Sequence, residues 1–427
     1  MTNTLVLLPF LKKEKEIRTP DSKLSEAVSL TKAIHLNVIK SALIPIREIK
    51  AGTYLGKGVI DSYRNFIREN QIEVIILVCH LSPLQQRNLE KEWQAKVIDK
   101  TALILEIFGQ RARTKEGVLQ VELAHLIYAR SRLVRSWTHL ERQRGGAGFL
   151  GGPGETQIEL DRRLIDEDII KIKKELEAVK KTRELHRKAR RRVPFPIIAL
   201  VGYTNAGKST LFNFLTKSDV FAKDMLFATL DPTMRQIKLP SGQMAILSDT
   251  VGFISDLPTE LVMAFRATLE EVLEADVIVH VRDYHHPDTQ AQKKDVESVL
   301  CDLGLKEVVD IELVEALNKI DLFEPDEQEM IRNQKKRRPK EWPVSAISGE
   351  GVHDLLVCIE DVLNRDRKSF KLMIPIEDGK TLARIYQKGQ VIKRIDNEKT
   401  ITLIVKLKPE DEALFSSYIQ RRKKKNG

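Results

Sequence analysis

At 427 residues the chain has room for about two to four domains with adequate cores, and its net charge of +10 favours an acidic partner. Its three cysteines, Cys79, Cys301 and Cys358, are too scattered for a metal site or a disulfide framework, so a reducing cytoplasm is the expected home. The opening LVLLPFL lacks a preceding basic region and runs into KKEKE, so it reads as a first strand rather than a secretory signal, and no apolar run approaches a membrane span.

Residues 1–112 alternate two patterns. Leu5–Leu8, Val38–Ile46 and Val74–Cys79 are apolar runs rich in branched residues, whereas Lys23–Ile34, Lys57–Glu69 and Pro83–Trp93 show helical spacing. The alternation predicts an N-terminal α/β domain with a largely parallel sheet. GKG at Gly56–Gly58 reads as a turn opening a helix rather than a phosphate contact, and no catalytic constellation is recognisable here.

From Thr114 the pattern becomes helical, with Val118, Val121, Leu126 and Ile127 on related faces. It is interrupted at Arg142–Arg163, RQRGGAGFLGGPGETQIELDRR, where six glycines and Pro153 fall between Gly145 and Gly154. Such a segment is neither helix nor ordinary strand. A flexible linker is one reading; the flanking Arg142, Arg144, Arg162 and Arg163 favour a loop that approaches RNA phosphates. Beyond it Ile165, Ile169, Ile172, Leu176 and Val179 alternate steps of four and three, the seam of a helical hairpin spanning residues 113–193 with its glycine loop at about 145–154. The hairpin ends in KKTRELHRKARRR, Lys180–Arg192, eight cations against one acid, which suggests nucleic-acid or ribosome contact. Pro194 and Pro196 then stop the helix.

GYTNAGKS at Gly202–Ser209 follows the apolar run Ile197–Val201 and precedes the helix-like Thr210–Leu215, the context a phosphate-binding loop requires. Gly202 and Gly207 let the backbone turn tightly around a phosphate, Lys208 reaches the outer phosphates, and the Ser209 hydroxyl is a magnesium ligand. DTVG at Asp249–Gly252 follows Met244–Leu247; Asp249 is placed to hold the ion through water and the Gly252 amide to sense the terminal phosphate. A further magnesium ligand is sought in FATLDPT, Phe227–Thr233, with Thr229 first and Thr233 second. NKID at Asn318–Asp321 reads guanine, because the aspartate accepts from the ring N–H and amino group that adenine lacks; SAIS at Ser345–Ser348 closes the base pocket. The chain therefore binds GTP. Phe253 stands where many signalling GTPases carry a water-orienting glutamine, so slow intrinsic hydrolysis is expected, with a partner or a switch rearrangement supplying what is missing. The catalytic group that activates water is not identified, beyond phosphate support from Lys208 and Gly252.

The tail has strand-like runs at Lys371–Pro375 and Thr400–Lys406, a helix-like run at Pro409–Ile419, and a basic end, RRKKKNG. With 14 basic residues against seven acids from Phe370 onward, this small α+β module favours an RNA partner.

The glycine loop with GPGETQIELDRR, followed by GYTNAGKS, FATLDPT, DTVGF and NKID, resembles the HflX family of ribosome-associated GTPases, as do FGQRARTKEGVLQVELA (Phe108–Ala124) and SWTHLERQRGG (Ser136–Gly146). The resemblance spans roughly residues 1–365. It implies an α/β architecture: an N-terminal α/β domain (1–112), the hairpin (113–193), a Ras-like GTP domain with a mixed, mostly parallel sheet (194–365) and a small basic α+β C-terminal module (366–427). It places nucleotide contacts on Gly202, Tyr203, Thr204, Asn205, Ala206, Gly207, Lys208, Ser209 and the following Thr210; on Phe227, Ala228, Thr229, Leu230 and Asp231; on Asp249, Thr250, Val251 and Gly252; on Asn318, Lys319, Ile320 and Asp321; and on Ser345 and Ala346. It puts Mg2+ directly on Ser209 and Thr229, with Asp249 acting through water. It further implies binding to the large ribosomal subunit and its rRNA, and dissociation of stalled or idle ribosomes under stress. A monomer is expected. Family members that hydrolyse ATP make ATP a candidate ligand of residues 1–112, which the residues there neither support nor exclude. An Era- or Obg-like assembly GTPase, or an ATP-dependent RNA-remodelling enzyme regulated by GTP, is the alternative.

Overall fold

The computed structural model describes residues 2–11, 18–141, 157–190, 195–217, 233–255, 272–311, 313–334, 340–365, 367–397, 399–407 and 409–419, with 134–141, 157–158, 180, 182–190, 307, 310–311, 334, 387–388, 390 and 410 by backbone alone. The glycine loop, Phe227–Asp231 and the last eight residues lie outside these.

The first strand, β1 (Asn3–Leu11), is apolar along nearly its whole length because helices cover both faces of its sheet. It pairs in parallel with β2 (Asn37–Ile46) and β3 (Val74–Leu77), and β3 with β4 (Lys96–Asp99), in the order β2-β1-β3-β4. The crossovers are α1 (Pro20–Ala33), α2 (Lys57–Glu69) and α3 (Pro83–Trp93); α4 (Lys100–Arg111) follows β4. Gly56 is the cap residue of α2, so GKG is the helix-start turn expected of it. The pair β4–α4 was not expected from sequence. Its strand is four residues long, and Asp99 ends it while capping α4 through the Ala102 amide at 2.9 Å.

Two long helices, α5 (Lys115–Glu141) and α6 (Gln157–Arg190), pack as the expected hairpin. Leu119, Leu123, Ile169 and Ile172 form its buried seam, with Leu126, Ile127, Ile165, Leu176 and Val179 against it. Val118 does not share that face; it is exposed, and Val121 turns toward the N-terminal core. The 3.6-residue period rotates consecutive apolar positions onto different neighbours.

The second sheet has the order β10-β9-β8-β5-β7-β6: β5 (Ile197–Gly202), β6 (Thr233–Lys238), β7 (Met244–Asp249), β8 (Val277–Asp283), β9 (Val314–Asn318) and β10 (Glu341–Pro343). Only β6 is antiparallel among these strands, so the sheet is mixed and mostly parallel. Around it lie α7 (Lys208–Thr216), α8 (Thr289–Asp302), α9 (Lys306–Ile311), α10 (Pro325–Gln334) and α11 (Val352–Leu363). The tail forms a three-stranded antiparallel sheet, β11 (Lys368–Pro375), β13 (Thr400–Leu407) and β12 (Gln390–Asp396), with α12 (Gly379–Lys388) and the short α13 (Pro409–Glu412). Its core, from Leu372 to Phe415, is its own. Sequence patterning missed α12 and β12, whose exposed charged positions blur the period. No helix among the described residues is long and apolar enough to cross a membrane.

Candidate nucleotide site

The motifs meet because each ends a strand of the second sheet at the same edge. β5 runs into Tyr203–Gly207, β7 ends on Asp249, β9 ends on Asn318, and Val344–Ala346 follows β10. Parallel strands joined by crossovers bring their carboxyl ends together, where open α/β sheets bind ligands.

In the phosphate loop, Asn205 (φ 61°) and Gly207 (φ 91°) take left-handed conformations just before α7 begins at Lys208. A Cβ on Gly207 would stand 2.1 Å from Asn318 Nδ2, so glycine is needed both for the turn and for the asparagine to pass. Lys208 is buried, and its Nζ donates to the carbonyls of Gly202 (3.1 Å) and Tyr203 (2.9 Å). Burial draws its pKa down to about 8, which Asp249 only partly offsets. The Ser209 hydroxyl donates to Asp249 Oδ2 at 2.7 Å. A serine hydroxyl beside one carboxylate is a set of hard oxygen donors, which fits Mg2+ completed by phosphate oxygens and water, and not a thiophilic or imidazole-seeking ion. Thr250 Oγ1 donates to Leu200 O at 2.6 Å, and a Cβ at Gly252 would lie 3.1 Å from Lys208 Nζ. The DTVG turn therefore rests against the lysine head.

On the base side, Asn318 Nδ2 donates to Ala206 O at 2.8 Å, while Asn318 Oδ1 accepts from Ala346 N at 2.9 Å. One buried amide thus ties the phosphate loop to the SAIS loop. Lys319 (φ 67°) pairs with Asp283 at 2.7 Å, Ile320 is buried, and Asp321 is exposed beside them. Ser345 Oγ accepts from the Ser348 amide at 3.1 Å, fixing the loop's turn. Thr233, the second candidate for magnesium, begins β6 opposite Asp249; Phe227, Ala228, Thr229, Leu230 and Asp231 lie outside the described residues.

Sequence reasoning missed the connection of this site to the N-terminal sheet. The Tyr203 hydroxyl accepts from Arg18 Nη1 (2.8 Å) and the Ser255 amide (2.6 Å) and donates to Glu26 Oε2 (2.7 Å), which fills a phenol's capacity. Burial, and then the charge of Glu26, push the Tyr203 pKa well up, so the hydroxyl keeps the proton it donates. Arg18 also pairs with Asp295 of α8, and Lys100 Nζ donates to Ser255 O (2.8 Å) and Oγ (2.6 Å). Phe253 is buried in a core shared by Val6 and Ile76 of the first sheet and Val201 and Ile278 of the second. Partners 185 and 177 residues apart leave no local pattern to read.

Four family models cover most of the chain: "GTP-binding GTPase N-terminal" (residues 21–109), "GTP-binding GTPase Middle Region" (111–190), "50S ribosome-binding GTPase" (197–319) and "HflX C-terminal domain" (330–425). GTPase HflX of Magnetococcus marinus is 48% identical over 386 residues, covering 90% of this chain and 88% of its own. This chain belongs to the HflX family. GTPase HflX of Escherichia coli is 42% identical, covering 83% of this chain and 82% of its own. A crystal structure of a GTP-binding protein from Sulfolobus solfataricus with GDP matches at a TM-score of 0.45 and 23% identity, over 86% of this chain and 99% of that one. As an HflX-family member with the P-loop GTPase fold, the chain binds GTP and hydrolyses it.

Proposed function

We propose that this HflX-family GTPase acts in the cytoplasm on the large ribosomal subunit, and that GTP binding and hydrolysis drive separation of stalled or idle ribosomes. Family membership and the matched "50S ribosome-binding GTPase" model support the partner. The observation that carries a mechanical role is the Tyr203 hydroxyl, held at once by Arg18, Glu26 and the Ser255 amide. Phosphate loop and the stretch after DTVG share one contact with the N-terminal sheet, so a change of nucleotide state bears directly on how that sheet is held.

In this reading the amides of Thr204–Thr210 and Lys208 take the phosphates. Ser209 and Thr229 would hold Mg2+, with Asp249 acting through water, and Phe227–Asp231 and Thr250–Gly252 would supply further nucleotide contacts. When bound, the ion neutralises charge on the β and γ phosphates. Asn318–Asp321 with Ser345 and Ala346 read guanine. The residues divide as 1–112, 113–193, 194–365 and 366–427, with the helical hairpin and basic tail offering contacts to rRNA. Phe253 has no group to orient water, so turnover by the free protein is slow. GTP turnover measured alone and with large subunits, with Lys208→Ala as control, tests the proposal. Strong stimulation that the variant abolishes is expected; turnover indifferent to subunits sinks it.

A further inference from the structure

The turn that follows β5 carries a hydroxyl that the fold itself does not use. Thr204 is buried, 6% exposed, and its Oγ1 has no hydrogen-bond partner among the described residues. A buried hydroxyl left unpaired costs free energy that an arriving ligand can restore, and valine would fill the same shape without that cost. The backbone around it is fixed. The Thr204 amide donates to Phe253 O at 2.7 Å, the Phe253 amide donates to Gly202 O at 3.1 Å, and Tyr203 and Phe253 form a parallel bridge. The third residue of the phosphate loop is thereby pinned to the stretch after DTVG. A Cβ on Gly252 would stand 2.8 Å from Thr204 Cγ2 and 3.1 Å from Lys208 Nζ. The Thr204 side chain thus borders the two groups assigned to the terminal phosphate, the Lys208 ammonium and the Gly252 amide. Phe253 offers nothing there, because its ring has no polar atom and is buried in the core that the two sheets share.

We infer that the Thr204 hydroxyl is a catalytic group of the GTPase reaction, one that holds the attacking water against the γ-phosphate. A hydroxyl has one donor and two acceptor lone pairs, so it accepts from the water while donating to a γ-phosphate oxygen. Phosphoryl transfer asks the protein mainly for position and charge. The water oxygen forms the new bond to phosphorus. The bond from phosphorus to the β–γ bridging oxygen breaks with its electron pair leaving on GDP, and the water's proton passes to a γ-phosphate oxygen. The products are GDP and inorganic phosphate, and Thr204 ends the cycle as it began. A single neutral hydroxyl is a modest aid, in keeping with slow turnover by the free protein. Its loop is tied to Phe253, so whatever shifts the stretch after DTVG shifts this hydroxyl too.

The test is single-turnover hydrolysis of GTP by excess full-length protein, with affinities for GDP and for the β,γ-imido analogue of GTP measured alongside. Thr204→Val keeps the branched shape and should slow hydrolysis about tenfold or more, with GDP affinity held within about twofold. Thr204→Ser keeps the hydroxyl and should recover most of the rate. Analogue affinity equal to that of the wild type places the contact in the transition state, and affinity lowered severalfold adds a contact to the bound phosphate; either supports the role. A wild-type rate in Thr204→Val overturns it. So does a parallel loss of GDP affinity, or a Thr204→Ser variant as slow as Thr204→Val, since both describe a loop that has lost its shape. The inference rests on the phosphate-site reading above, and Lys208→Ala separates the two failures. Unchanged turnover in Lys208→Ala removes the whole site, whereas unchanged turnover in Thr204→Val alone removes only this hydroxyl.

Discussion

Lys208 shows how function sets the terms for a single residue. Its ammonium is buried on two backbone carbonyls, and the pKa of about 8 records what that burial costs the charged form. In the proposed site phosphates restore the charge when they bind, so above pH 8 binding takes up a proton. Affinity for GTP is expected to be flat from pH 7 to 8 and to fall up to tenfold per unit above that, an effect visible in a titration series and absent in Lys208→Ala. The sign for stability is opposite. The unfolded lysine binds its proton up to its ordinary value of 10.5, so between pH 8 and that value the unfolded state holds more protons and the nucleotide-free fold gains stability. Lys208→Ala itself should lose nucleotide affinity or turnover by orders of magnitude, and tight, unchanged GTP turnover would remove the residue from the site. Asp321 is exposed, and in the proposed site it accepts from the guanine ring N–H and amino group. Asp321→Asn reverses the donor–acceptor match and should shift preference from GTP toward the xanthosine nucleotide, measured by competition binding.

At the scale of elements, the molecule depends on loops held by neighbours distant in sequence. Asn318 holds β5's loop to β10's, and Gly349 (φ 82°) lets the SAIS turn lie on the Phe214 ring, where a Cβ would approach to 2.3 Å. Gly349→Ala should destabilise by about 1–3 kcal/mol through strain and clash, with a matching loss of GTP affinity, read by thermal melts with and without nucleotide. Tyr203→Phe removes the acceptor of the buried Ser255 amide and one bond each from Arg18 and Glu26, which keep each other at 3.1 Å. Its expected cost is about 1–3 kcal/mol, above that of a lost surface bond, together with faster nucleotide release. Equal stability and equal release rates in the variant would show that the contact does not couple the two sheets.

For the whole molecule, the division of cores sets what can be removed. The tail's sheet has its own buried cluster, whereas the first and second sheets share one that runs from Val6 to Phe253. Deleting residues 366–427 should leave GTP turnover by the free protein nearly intact. It should weaken subunit binding and flatten its dependence on salt, because the 14 cations from Phe370 onward are lost with their seven acids. Sedimentation across a salt series checks this; an unchanged slope would deny the tail a role with RNA.

The nucleotide motifs were legible in sequence because each is a short string whose chemistry depends on immediate neighbours. A glycine turn before a lysine, a serine opening a helix and an asparagine ending a strand need only the local chain to be recognised. Strand and helix periods gave three of the four strands of the first sheet, β5 and β7 of the second, and the hairpin seam for the same reason. β4, α12 and β12 escaped because short or charged elements carry too few periods. What tertiary structure alone decided is the company these strings keep: Asn318 against Ala206 and Ala346, Lys319 against Asp283, and Tyr203 turned to Arg18, Glu26 and Ser255. Those pairings depend on which strand lies beside which, and strand order follows from burying both faces of a sheet at once, a condition no local segment carries.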